Sequence, residues 1–236
     1  MVFLPRMFLP SALFLIVAVF STTSKAFTAS RRHHALLGCH PLMALTLPTM
    51  EQLAQDPFMK QVEYGFTLTS NLGSDQPNIQ DHLQAQLSHS DGIRGFMVSY
   101  LTADESPADQ PEIPKALWGA LQTQMESDAA DDLVSLTCMN VIMPTAMVSM
   151  HQTPDLSAGS ARTAERGIRI LQALCKNYPS VKTNVASIMA VANNDSNEIQ
   201  DTQLHQFWSQ FFEKWGYKER QREDISNAME KILQEG

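Results

Sequence analysis

No aspartate or glutamate precedes Glu51 in this 236-residue chain, so its first fifty residues read as an address segment. Cysteine is scarce as well. The three thiols, Cys39, Cys138 and Cys175, are too few for a disulfide framework. There is no glycine-rich phosphate loop, no G-x-S-x-G elbow, no C-x-x-C and no H-E-x-x-H. Those gaps remove the readily recognised nucleotide, hydrolase, thiol-redox and zinc-protease chemistries. Strand signals are nearly absent too, which leaves little material for a sheet.

The segment itself has an order. Arg6 supplies a positive start, Phe8 to Phe20 is apolar apart from Pro10 and Ser11, and Ser24-Lys25-Ala26 places small residues where a signal peptidase cuts. The apolar run is short for a membrane span. Residues 27 to 49 are basic, hydroxyl-bearing and free of acids, which is transit-peptide composition. Ser24-Lys25-Ala26-Phe27-Thr28-Ala29-Ser30 resembles the junction of the bipartite plastid presequence of diatoms and other algae with secondary plastids. The resemblance implies removal of residues 1–26 as signal peptide and 27–49 as transit segment, and delivery to the plastid stroma. Ordinary secretion or retention in the endomembrane lumen is the other reading of the same residues.

The whole chain carries 17 basic and 25 acidic side chains. Arg6, Lys25, Arg31 and Arg32 belong to the address segment, so the remainder holds 13 basic against 25 acidic residues, a net charge near −12. Such a surface repels phosphate backbones and excludes general nucleic-acid binding.

Residues 50–236 show helical periodicity throughout, and the expected fold is all-α: one bundle of about seven to eight helices around a buried central helix. Thr49 and Gln52 form a capping-box pattern, and Asp56 before Pro57 reads as the cap of the next helix. Ile93 to Leu101 fits a helix or a strand; the helical neighbourhood favours helix. Residues 102–114, with acids and Pro107, Pro111 and Pro114, read as a solvated connector or a docking loop. Leu133 to Met150 has no charged residue in 18 positions. Its Ser, Thr, Asn and Pro residues favour a core helix over a membrane span. Pro144 removes a donor and frees the Asn140 carbonyl. Asp155 to Ser160 reads as the cap of the helix that follows.

Several residue groups carry potential chemistry. Asp81, His82, His89 and Asp91 form the densest titratable cluster and contain the imidazole and carboxylate groups a Zn or Fe site requires. The competing reading is a capped helix end with solvated histidines. Arg162, Arg166, Arg169 and Lys176 form a basic stripe on one helix, suited to carboxylate or phosphate, or else paired with local acids. Phe207, Trp208, Phe211, Phe212 and Trp215 exceed what one narrow stripe buries, which suggests a partner surface. With His205 as axial ligand they suggest a tetrapyrrole pocket. Met139, Met143, Met147 and Met150 lie on one side of the central helix and read as core filling before soft-metal ligands. Cys138 and Cys175 read as buried thiols or as a redox pair. No motif demands a cofactor. The sequence therefore points to a non-catalytic binding or assembly factor that docks a protein through the arginine stripe and the ring-bearing helix. A metal- or tetrapyrrole-binding helical enzyme or carrier is the alternative.

Overall fold

The computed structural model describes residues 47–73, 76–195 and 202–236. The address-segment readings fall almost wholly in residues 1–46, outside the described residues. Ten helices build the rest: α1 (Met50–Gln55), α2 (Phe58–Asn71), α3 (Ile79–Gln86), α4 (Ser90–Thr102), α5 (Lys115–Met125), α6 (Ala130–Met150), α7 (Pro154–Asn177), α8 (Pro179–Ala192), α9 (Thr202–Trp215) and α10 (Glu219–Glu235). No strand occurs among the described residues, and the fold is all-α. The count exceeds seven or eight because the opening turn after Thr49 is a helix of its own and Ile93–Leu101 resolves as α4.

Local chemistry sets the helix starts, with two corrections to the expected caps. The Thr49 hydroxyl accepts from the Gln52 amide and the Gln52 side chain accepts from the Thr49 amide, a capping box. Asp56 does not cap α2. Pro57 takes the N-cap position, and the Asp56 carboxylate accepts from the Tyr64 hydroxyl. That bond holds the phenol protonated and pushes its pKa up to about 12. At α7 the N-cap is Thr153, with Pro154 opening the helix, so Asp155 to Ser160 lie inside it rather than before it.

The N-terminal helices approach closely because glycine lets them. A Cβ at Gly95 would lie 2.5 Å from Gln61 Cβ, and one at Gly65 would lie 2.7 Å from Ser99 Oγ. Ser99 donates across that contact to the Val62 carbonyl at 2.7 Å, so α2 and α4 are joined backbone to hydroxyl. Buried glutamines seal the same region. Gln61, fully enclosed, donates through Nε2 toward the carbonyls of Gln52, Leu53 and Asp56 at 2.9–3.1 Å, closing the end of α1. Gln86 donates to the Gln61 carbonyl at 2.7 Å.

α6 runs through the centre and packs on α4, α5, α7, α8 and α10. It is the one helix among the described residues long and apolar enough to cross a membrane, yet 61% of its most apolar window is buried inside the fold, as in a core helix. Its burial is uneven: Met143 is buried, Met139 and Met147 are half-buried, and Met150 is 57% exposed. The methionine side is therefore the outward side of α6, and the branched residues Leu133, Val141 and Ile142 fill the interior. α6 and α7 meet where Gly167 faces Val141; a Cβ there would lie 2.8 Å from Val141 Cγ2 and 3.5 Å from the Asn140 carbonyl that Pro144 leaves free. α10 lies on α6, α7 and α8, and α9 rests chiefly on α8.

Candidate functional site

α7 is a 24-residue helix with one face in the core and one toward the α4–α5 connection. The expected basic stripe lies here, but its middle is not a solvated surface. Arg166 is 1% exposed. Its Nη1 donates to the carbonyls of Leu101 and Ala103 at 2.8 and 2.7 Å, capping the end of α4. Its Nε and Nη2 donate to the two oxygens of Asp109 at 2.8 and 2.5 Å, a bidentate fork. Arg169, half-buried one turn on, donates to the Ala108 carbonyl at 2.6 Å. Arg162 and Lys176 remain exposed.

Apart from Leu101, the residues gripped belong to a strap, 103–114, folded over α7 through a single turn of 3-10 helix, Pro107–Asp109. Ser106 caps that turn by accepting from the Ala108 amide, and its hydroxyl donates to the Tyr100 carbonyl at 2.6 Å. The hydrogen bond from Arg166 lowers the Asp109 pKa below the ordinary carboxylate value, and the nearby charge of Arg162 acts the same way. Tyr100, enclosed beneath the strap, has its pKa pushed up to about 12 by burial, against the opposing pull of Arg166 and Arg169. Asp109 was not among the residues singled out by the sequence. It stands 57 positions from Arg166, and no short-range pattern links them.

The ring-bearing face of α9 is also mostly internal. Trp208 and Phe212 are fully buried and Phe211 is 8% exposed, so three of the five rings belong to the core. Trp208 donates to Asn184 Oδ1 on α8 at 3.3 Å. Phe207 meets Trp208 edge-on at 4.8 Å, and the chain turns at Gly216 (φ +62°) to lay Tyr217 edge-on against Phe212 at 5.3 Å. Arg222 covers the Phe212 ring and donates to the Val191 carbonyl at the end of α8. Phe207 and Trp215 alone of the five keep partial exposure. His205 is half-buried; its Nδ1 is enclosed without a partner, as is Trp215 Nε1.

The histidine cluster divides. His89 is the N-cap of α4: its Nδ1 accepts from the Gly92 amide and its Nε2 donates to the Leu53 carbonyl at 2.8 Å. Both ring nitrogens are thereby engaged by backbone, as a structural histidine requires and a metal ligand does not. His82 binds the Asn78 carbonyl through Nδ1 within its own helix. Asp91 pairs with Arg94 at 3.2 Å. Among the described residues no group of three or more His, Cys, Asp or Glu side chains is placed to hold a metal ion. Arg94, 5% exposed, lies with its guanidinium 4.7 Å above the Phe58 ring, and burial lowers its pKa against the opposing charge of Asp91. Cys138 and Cys175 are free and buried. Burial raises both thiol pKa values, that of Cys175 to about 11, which suppresses the thiolate a redox switch needs.

No curated protein and no solved structure matches the chain. A family model does match, over residues 61–232, from the buried glutamine of α2 to the buried isoleucine of α10, and includes both the strap and its arginines. The chain belongs to the family described as uncharacterised conserved protein UCP020893.

Proposed function

We infer that this protein is a non-catalytic helical binding or assembly factor that docks another protein, and that it works in the plastid interior. One observation carries the docking reading: α7 already grips a length of polypeptide, its own residues 101–109, through one carboxylate and three main-chain carbonyls. A helix face that recognises main-chain carbonyls and a carboxylate in this way suits a protein partner. Arg162 and Lys176 extend the face into solvent, and Phe207 and Trp215 offer a second, aromatic contact on α9. His89, Gln61 and Gln86 are engaged with backbone carbonyls. Photocrosslinkers placed at Lys176 and Phe207 of the expressed protein test the reading in its own compartment. Crosslinks to a second protein species support it; crosslinks confined to the chain itself at both positions overturn it. The compartment is tested separately with a fluorescent reporter fused behind residues 1–49. Stromal fluorescence supports plastid import, and retention in the endomembrane system removes it.

A second reading, a tetrapyrrole bound at His205, has one observation in its favour, the enclosed and unpartnered Nδ1 beside the α9 rings. An absorbance scan of the purified protein decides it: a Soret band supports the carrier reading, and a spectrum of tryptophan and tyrosine alone discards it.

A further inference from the structure

Arg166 is held from two sides. Its Nη1 is fastened to the carbonyls of Leu101 and Ala103, the last turn and C-cap of α4. Its Nε and Nη2 are left to the carboxylate that the strap supplies. Arg169 holds the main chain beside that ligand, and the charge of Arg162 acts on the same carboxylate. Access to the two partners is unequal: the Arg166 side chain is 1% exposed, the Asp109 side chain 43%. A carboxylate that water reaches, held by a fork that water does not, is open to exchange for another carboxylate.

The strap has the composition of a replaceable occupant. From Ala103 to Pro114 it carries Asp104, Glu105, Asp109 and Glu112 and no basic residue. Pro107, Pro111 and Pro114 keep it short of regular helix, so it leaves without unfolding one. Its two ends are tethered to α4 and α5, which gives it a high effective concentration over any free competitor.

We propose that the Arg162–Arg166–Arg169 face of α7 is a seat for an acidic, turn-forming segment of a partner protein, and that residues 104–114 fill this seat in the free protein as an internal surrogate. The proposal rests on the reading of α7 as a docking face and names what docks there: a carboxylate beside a main-chain carbonyl in a single tight turn, as in Pro107–Asp109. The partner wins the seat by supplying more contacts than the strap, reaching Arg162 and Lys176 as well.

The test uses the full chain and a fluorescein-labelled synthetic peptide of residues 102–114 as probe, read by anisotropy. Wild type competes with its own strap and binds the peptide weakly. Asp109→Asn keeps the shape of the strap but removes its charge, and it is expected to bind the probe at least tenfold more tightly, with faster amide exchange across 103–110. Arg162→Glu in the same background is expected to reverse that gain, and added salt to weaken it. Equal affinity in wild type and Asp109→Asn, or unchanged exchange across the strap, overturns the proposal. Should Asp109→Asn unfold, Ser106→Ala loosens the strap at its attachment to the Tyr100 carbonyl without touching the seat, and gain or no gain of probe binding decides in the same way. If the peptide fails while crosslinks from Lys176 or Phe207 reach a partner, the docking reading stands and the surrogate strap falls. If the peptide binds and no partner crosslinks, the seat stands and the assigned role falls.

Discussion

The two ends of the bundle solve the same problem with different groups. In α1–α5, helix ends and crossing backbones are satisfied by side-chain amides and one imidazole: Gln61, Gln86, Gln124 and the His89 ring all donate to main-chain carbonyls. In α6–α10 the equivalent work falls to guanidinium groups: Arg166 caps α4, Arg169 holds the strap and Arg222 caps α8. A buried amide is indifferent to salt and pH and offers nothing to an outside partner. A guanidinium fork keeps its charge wherever it is placed, and any carboxylate can address it. The first region is therefore closed, and the second is open to competition at its edge.

The contrast is broken most severely at Gly92. A Cβ there would lie 1.8 Å from the Gln86 carbonyl oxygen, a backbone atom with no room to retreat. Gly92→Ala is expected to cost about 3 kcal/mol or more, read as a fall in the midpoint of urea unfolding. An unchanged midpoint would show that α3 and α4 are not held as described. Next comes Asp109→Asn, which removes the counter-ion of Arg166 and loosens the strap; with the carboxylate 43% exposed, it is expected to cost about 2–3 kcal/mol. The pH response gives the sign. The folded Asp109 carboxyl lies below its unfolded value near 3.9, so its contribution is complete above about pH 5. It is lost as the pH falls through the lowered folded value. Wild type and Asp109→Asn should thus differ in melting temperature at pH 6 and converge toward pH 2. A gap that persists in acid would assign the effect to shape rather than charge.

Gln61→Leu sharpens the other side. It strands three carbonyls at the end of α1 and is expected to cost about 2 kcal/mol with no dependence on pH between 3 and 8, measured by thermal melts across that range. The smallest effect belongs to Lys231→Ala. Its ion pair with Glu165 at 2.7 Å is more than 40% exposed on both sides and should contribute below about 1 kcal/mol. A larger loss would mean that α10 is fastened to α7 by charge rather than by Ile225, Met229 and Ile232 in the core.

Most helices were legible because apolar spacing survives in the sequence: Phe58 and Val62, Leu117 and Leu121, Ile225, Met229 and Ile232 all lie buried as their period requires. Gly216 was legible as a helix stop because its left-handed φ is what glycine supplies. Three kinds of feature were not. Gln61 and Gln86 look like surface residues on a helical wheel, and only a crossing backbone turns them inward. Arg166 shares its stripe with the exposed Arg162, and nothing local distinguishes them; the difference is Asp109, brought there by the fold. The α9 rings were read as too many for one stripe. Tyr217, doubling back after Gly216, forms the second wall that takes in Phe211 and Phe212.

The reach of Arg166 also sets an order of events during synthesis. The carbonyl of Leu101 ends α4, and its donor lies 65 residues further along the chain. A polypeptide leaving the ribosome amino end first completes α2 and α4 while that carbonyl is still facing water. The last turn of α4 and the strap beyond it therefore stay unlatched until most of α7 has emerged. For that interval a chaperone meets a half-built bundle with one frayed end.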